Sequence, residues 1–207
     1  MNQTEASIDP SAARQKQASG RWKLFAIIAI CASPMIASYL TYYVIKPQAK
    51  TNYGTIIDSA VHSIPSALQT TALDGAATPL STFEGKWLLL QVDSGACATP
   101  CQRKLYDMRQ LRLTQGRERD RIERVWLITD TVPLDTTLIR GFDGTRMLRA
   151  QPSAVNSWLP VEAGANASDY LYVVDPLGRL MMRFPKNRDP NQIKKDLGKL
   201  LRASSIG

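Results

Sequence analysis

Two cysteines four residues apart, in Cys97-Ala-Thr-Pro-Cys101, are the residues of this chain best suited to chemistry. Thiolates are nucleophiles and soft metal ligands. A close pair can therefore cycle between dithiol and disulfide, hold Cu(I), or close a static bridge. If both lay in one helical turn they would share a face, with Cα atoms near the upper end of disulfide range. Non-helical geometry at Cys97, which the Gly95-Ala96 approach allows, would ease closure. Unpaired N–H groups at a helix start stabilise a thiolate, so Cys97, nearer the loop and freer, is expected to attack and Cys101 to resolve. Two thiolates suffice for Cu(I), but affinity and any hold on Cu(II) call for a third ligand.

The elements that must position this pair are legible around it. Trp87 to Val92 reads as a buried strand, and Leu105, Met108, Leu111 and Leu113 begin a helical pattern. The thiols then sit at the carboxyl end of a central strand, where α/β folds place their sites. Val125 to Thr129 is a second apolar strand, with Asp130 at its end, and Asp135 caps a helical stretch reaching Arg140. Residues 141–168 read mostly as loop, with Trp158 as a packing anchor. Tyr170 to Val174 and Arg179 to Phe184 form a hairpin around Asp175-Pro176-Leu177-Gly178. Met181 and Met182 point to opposite faces, so at most one is core; methionines can bind Cu(I), but both read as packing residues. A smaller hairpin, Leu68 to Leu73 with Thr78 to Phe83, is expected around Asp74-Gly75. Asp189-Pro190 starts a final helix carrying Ile193, Leu197, Leu200 and Leu201. This order gives an α/β fold: a mixed sheet with flanking helices, thioredoxin-like, preceded by one transmembrane helix.

The chain has 207 residues, a formal charge of +8 and 44% apolar residues. The basic residues are spread out. Arg117, Arg119, Arg121 and Arg124 alternate with Glu118, Asp120 and Glu123 like a solvated rim, and no basic block with interleaved aromatics points to nucleic acid. Residues 1–20 are polar and read as disordered. From Leu24 to Ile45 no charge occurs over 22 residues, long enough to cross a bilayer. Trp22, Tyr39, Tyr42 and Tyr43 are interfacial anchors, and Cys31 is a small apolar filler. Arg14, Lys16, Arg21 and Lys23 precede the span, against Lys46 and Lys50 after it, which places the N-terminus in the cytoplasm. A signal peptide is the competing reading, but the run is long for one. The expected organisation is a cytoplasmic tail (1–23), an anchor in the lipid bilayer (24–45), a periplasmic tether (46–67) and a thioredoxin-like domain (68–207). His62, the only histidine, reads as an ordinary surface residue.

These features resemble the SCO/SenC family, membrane-anchored thioredoxin-like proteins that help assemble the copper centre of cytochrome c oxidase. The resemblance runs from Leu68 to Leu201. It rests on Asp74-Gly75, on Phe83-Glu84-Gly85-Lys86-Trp87-Leu88-Leu89-Leu90 leading to Cys97 and Cys101, on Thr129-Asp130 with Asp135-Thr136, and on Tyr172 to Gly178. It implies Cys97 and Cys101 as both redox and metal residues and copper as Cu(I). It also implies the copper-receiving oxidase subunit or copper chaperones as partners, and a bacterial inner-membrane protein with its C-terminal domain in the periplasm. One departure stands out: where the family has a copper-binding histidine, this chain has Asn166-Ala167-Ser168-Asp169, with Ala167 nearest the expected place. The proline found before the corresponding strand of true thioredoxins is also absent. The implied function is thiol–disulfide exchange with transient Cu(I) transfer. The rival reading is a non-catalytic scaffold whose Cys97–Cys101 disulfide is structural.

Overall fold

A computed structural model describes residues 10–45 and 52–206, with side-chain environments from residue 22. The chain divides into two units, Met1–Lys50 and Thr51–Gly207.

The first unit is helix α1 (Pro10–Leu40), continued by one wide turn at Thr41–Ile45. It begins within the stretch expected to be disordered, of which residues 1–9 lie outside the described part. Trp22–Val44 is long and apolar enough to cross a membrane. Pro34 lies inside this helix and has no N–H to offer the Ile30 carbonyl one turn back. The Ser33 hydroxyl donates to that carbonyl at 2.9 Å, so the acceptor is not left bare. The side chains of Arg14, Lys16 and Arg21, and all of Lys46 and Lys50, on which the expected orientation rests, lie outside the described residues.

The second unit is built on a seven-stranded sheet. In chain order its elements are β1 (Thr55–Ile56), β2 (Thr70–Ala72), β3 (Trp87–Asp93), α2 (Thr99–Leu113), β4 (Ile122–Ile128), α3 (Thr136–Gly141), β5 (Thr145–Ala150), α4 (Pro152–Trp158), β6 (Leu171–Val174), β7 (Leu180–Phe184) and α5 (Pro190–Ala203). The strand order is β1-β7-β6-β3-β4-β5-β2. The three central strands β3, β4 and β5 are parallel, and β6, β7, β1 and β2 add antiparallel neighbours on both sides.

Alternation along β3 splits the core into two layers. Leu88, Leu90 and Val92 pack with Val155 and Trp158 of α4 on one face. Trp87 and Leu89 meet Met108 and Leu111 of α2 and Ile193, Leu197 and Leu201 of α5 on the other. Asp189 caps α5 by accepting from the Asn191 N–H at 2.9 Å, and Asp135 caps α3 from Thr137 at 2.7 Å. Met182 is buried and Met181 only half-buried, as their alternation requires.

Four stretches differ from the sequence reading. Residues 141–168 are not mainly loop: they hold β5 and α4. Arg146 and Arg149 obscured the strand, and seven residues of α4 are too few for a clear period. The small hairpin closes, with Thr71 bridged to Ala77 and the Ala72 and Thr78 N–H groups donating across it, but its second arm turns into a 3-10 helix at Leu80–Phe83 and β2 pairs on its other side with β5. Part of the stretch read as tether packs into the domain. Thr55–Ile56 forms the edge strand, Ile57 is buried, and the N–H groups of Tyr53 and Gly54 donate to Asp196 Oδ2 at 2.7 and 3.0 Å. Arg124 belongs to no solvated rim. It is buried on β4, with Nη2 donating to the Asp143 carbonyl at 2.7 Å, and burial pulls its pKa down.

Candidate functional site

The loop from Asp93 to Ala98 hands the chain from β3 to α2 through a series of tight local bonds. Ser94 N–H donates to Asp93 Oδ1 at 3.0 Å, Ala96 N–H to Ser94 Oγ at 3.1 Å, and Cys97 N–H to the Ser94 carbonyl at 3.1 Å. Gly95 is required by close approach, because a Cβ there would stand 2.5 Å from the Val132 carbonyl oxygen. Ala98 is the N-cap position and Pro100 occupies the first turn, where its missing N–H costs nothing.

Cys97 and Cys101 form a disulfide, with Cα atoms 5.0 Å apart. Closure depends on Cys97 lying outside the helix with φ +38°, the one positive φ at a non-glycine among the described residues. For a residue with a Cβ such a conformation costs about 1–2 kcal/mol. Gln102 Nε2 holds the Cys97 carbonyl at 3.0 Å. Cys97 is no freer than Cys101, contrary to expectation: each is 1% exposed. Both pack against Leu105, Trp126, Ile128, Leu138 and Met147, with Leu134, Ile139 and Phe142 closing the outside.

Three polar side chains, of which the sequence reading named only Asp130, lie around the site. Gln91 is fully buried, and its Nε2 lies 3.6 Å from Cys101 Sγ. Lys104, one turn along α2 from Cys101, is 2% exposed. Its ammonium meets Asp93 Oδ2 at 2.8 Å, the Val92 carbonyl at 3.0 Å and the Ser168 carbonyl at 2.6 Å. Burial pulls its pKa below the usual lysine range, against the opposing hydrogen bond and charge of Asp93. Asp130 Oδ1 accepts from Gly95 N–H at 3.0 Å and Val132 N–H at 3.2 Å, tying the site loop to the segment after β4. Gln91 had a signal in the sequence, as the sole polar residue in an apolar run. Lys104 had none beyond its spacing of three from Cys101.

No third ligand joins Cys97 and Cys101 among the described residues. Among the described residues no group of three or more His, Cys, Asp or Glu could hold a metal ion. Asp93 is engaged by Lys104, and Asp169 by Lys186 at 2.7 Å, whose hydrogen bond holds the Asp169 carboxyl below the usual range. Ala167 is buried, and its methyl group offers no donor. His62 is remote: its carbonyl accepts from Leu180 N–H at 2.9 Å, and Leu180 pairs with Val174, which pairs with Leu88 near the start of β3. The cysteines stand at the other end. The residues present do not fit a resident three-ligand copper centre.

Residues 87–204 match the family model described as "Transmembrane-like, thioredoxin-like, C-terminal domain", more than half of the chain. The chain belongs to this family. Residues 14–44 match its companion, "Transmembrane-like, N-terminal domain". No curated protein matches the chain. Among solved structures it is similar to copper-bound ScoI of Arabidopsis thaliana, with 17% identity, covering 69% of this chain and 100% of that one, at a TM-score of 0.52. It is also similar to a SCO1/SenC family lipoprotein from Bacillus anthracis str. Ames, with 16% identity over 68% and 96% of the two chains and a TM-score of 0.50. A thiol:disulfide interchange protein from Bacteroides sp. gives 17% identity, 70% and 91% coverage and a TM-score of 0.50. At these identities the likeness establishes the thioredoxin-like fold.

Proposed function

We propose that this protein is a membrane-anchored thiol–disulfide exchange factor, with Cys97 as the attacking and Cys101 as the resolving thiol. The observation that carries this reading is the left-handed backbone at Cys97. A residue that pays conformational strain to complete a bond at a strand end and helix start is a common mark of a working site. The proposal keeps residues 1–23 in the cytoplasm, 24–45 in a bacterial inner membrane and the thioredoxin-like domain in the periplasm. By resemblance to the SCO/SenC family, the partner is a cysteine pair in the copper-receiving subunit of cytochrome c oxidase or in a copper chaperone. Once reduced, Cys97 and Cys101 also make a two-coordinate site for Cu(I) as cargo, any third ligand coming from the partner.

One observation favours the alternative of a static bridge in a scaffold protein: both cysteines are 1% exposed, so attack requires side chains packed over them, Leu134, Leu138 and Phe142 among them, to move. Thiol trapping of the full chain across a series of redox buffers separates the two. Exchange predicts a dithiol population that rises smoothly with reducing strength, whereas a bridge still closed below about −300 mV is structural.

A further inference from the structure

We propose that Gln91 is a positioning residue that favours the dithiol form of the Cys97–Cys101 pair by holding Cys101. This rests on the reading of the bridge as reversible. Gln91 is completely buried, in a strand position where leucine would pack without a polar cost. While the bridge is closed, its Nε2–H meets only a disulfide sulfur at 3.6 Å, a weak acceptor. Its Oε1 has no hydrogen-bond partner among the described residues. Trp126, its register partner on β4, is likewise fully buried and clusters with both cysteines, and its Nε1 has no partner either. A buried amide oxygen and an indole N–H, on paired strand residues next to the bridge, are thus both unpartnered in the oxidised site. A buried polar group without a partner penalises the state that contains it.

Reduction changes what these groups meet. A dithiol of a partner protein gives two electrons to the bridge. The Cys97–Cys101 S–S bond breaks, a disulfide forms in the partner, and the two protons lost by the partner's thiols end on Cys97 and Cys101. Cys101 then carries an S–H that can donate to Oε1, and its sulfur, as thiol or thiolate, is a better acceptor for Nε2–H or Nε1–H than a bridge sulfur. The penalty sits in the oxidised state and is relieved in the reduced one, so Gln91 makes the bridge a stronger oxidant.

The test equilibrates the full chain, in detergent, with reduced and oxidised dithiothreitol and reads the dithiol fraction by alkylation. Gln91→Met, similar in length but without an amide, is expected to raise the disulfide-to-dithiol ratio about tenfold in a given buffer, a potential about 30 mV lower. A ratio within about twofold of wild type while wild type cycles overturns this inference alone. A wild-type bridge that never opens overturns the exchange reading, and this inference with it. A merely structural role would lower the unfolding temperature and leave the ratio unmoved. Should Gln91→Met fail to fold, wild type still decides: the 15N side-chain amide resonances of Gln91 are expected to shift between oxidised and reduced protein, and unmoved resonances overturn the proposal.

Discussion

Lys104 Nζ lies 2.8 Å from Asp93 Oδ2, with the lysine side chain 3% exposed. An ion pair is therefore built into the fold one helical turn beyond Cys101. The same ammonium joins the end of β3 to the Ser168 carbonyl before β6, so three segments share one fastening. Lys104→Met leaves a carboxylate and two carbonyls without it, and is expected to cost about 3 kcal/mol in urea unfolding. A loss below about 1 kcal/mol would show that water takes over these bonds.

Asp130 gives the site loop a pH dependence of definite sign. Burial pushes its carboxyl upward, but hydrogen bonds from the Ser94 hydroxyl and the N–H groups of Gly95 and Val132, with the Arg149 charge, hold it below the usual range. A carboxyl with a depressed folded pKa contributes stability that is complete above its unfolded value, about 3.9, and is lost as pH falls through the lower folded value. Asp130→Asn is expected to be about 1 kcal/mol less stable than wild type at pH 7. The gap should close in acid below about pH 4. A gap that stays constant to pH 2 would count against the assignment.

Copper binding should follow the geometry of two sulfurs and nothing more. Anaerobic titration against a calibrated Cu(I) chelator is expected to show at most one Cu(I) per reduced chain, lost in Cys97→Ser and in Cys101→Ser. His62→Ala should leave it unchanged, because that residue belongs to the opposite end of the sheet. Cu(II) should give no persistent thiolate-to-copper absorption. A strongly coloured Cu(II) complex would mean that another donor reaches the sulfurs.

Membrane orientation is open to a direct assay. A reporter fused after Gly207 is expected to be active only in a form that works in the periplasm, and the chain should remain uncleaved near residue 45. Cytoplasmic activity reverses the topology, and a shortened mature chain removes the anchor.

The parts of the fold legible in the sequence were those where one local force dominates. Trp87 to Val92 had to be a buried strand because burial on both faces leaves a nearly continuous apolar run. Asp189-Pro190 and Asp175 to Gly178 announced themselves by capping and turn chemistry. Strand β5 was hidden because Arg149 spends its charge on the carbonyls of Asp130 and Val132, a use that depends on distant partners. The cysteines were plain from their spacing, and so was the handover from strand to helix. Their burial was not, since it is imposed by Leu134, Leu138 and Phe142 from a separate segment. Lys104 was invisible for the same reason: a lysine reads as solvent-facing until the acceptors that surround it are brought together by the fold.

The left-handed backbone at Cys97 has a practical meaning for anyone altering this chain. Judged by conformation alone, the position asks for glycine, and a redesign guided by backbone geometry would install one. Such a protein would exchange no disulfide, and against a relieved strain of about 1–2 kcal/mol it would lose a bridge worth about 2 kcal/mol and the packing of a buried sulfur. A screen for heat resistance and a screen for exchange would therefore both keep cysteine here, and neither would reveal the strain it carries.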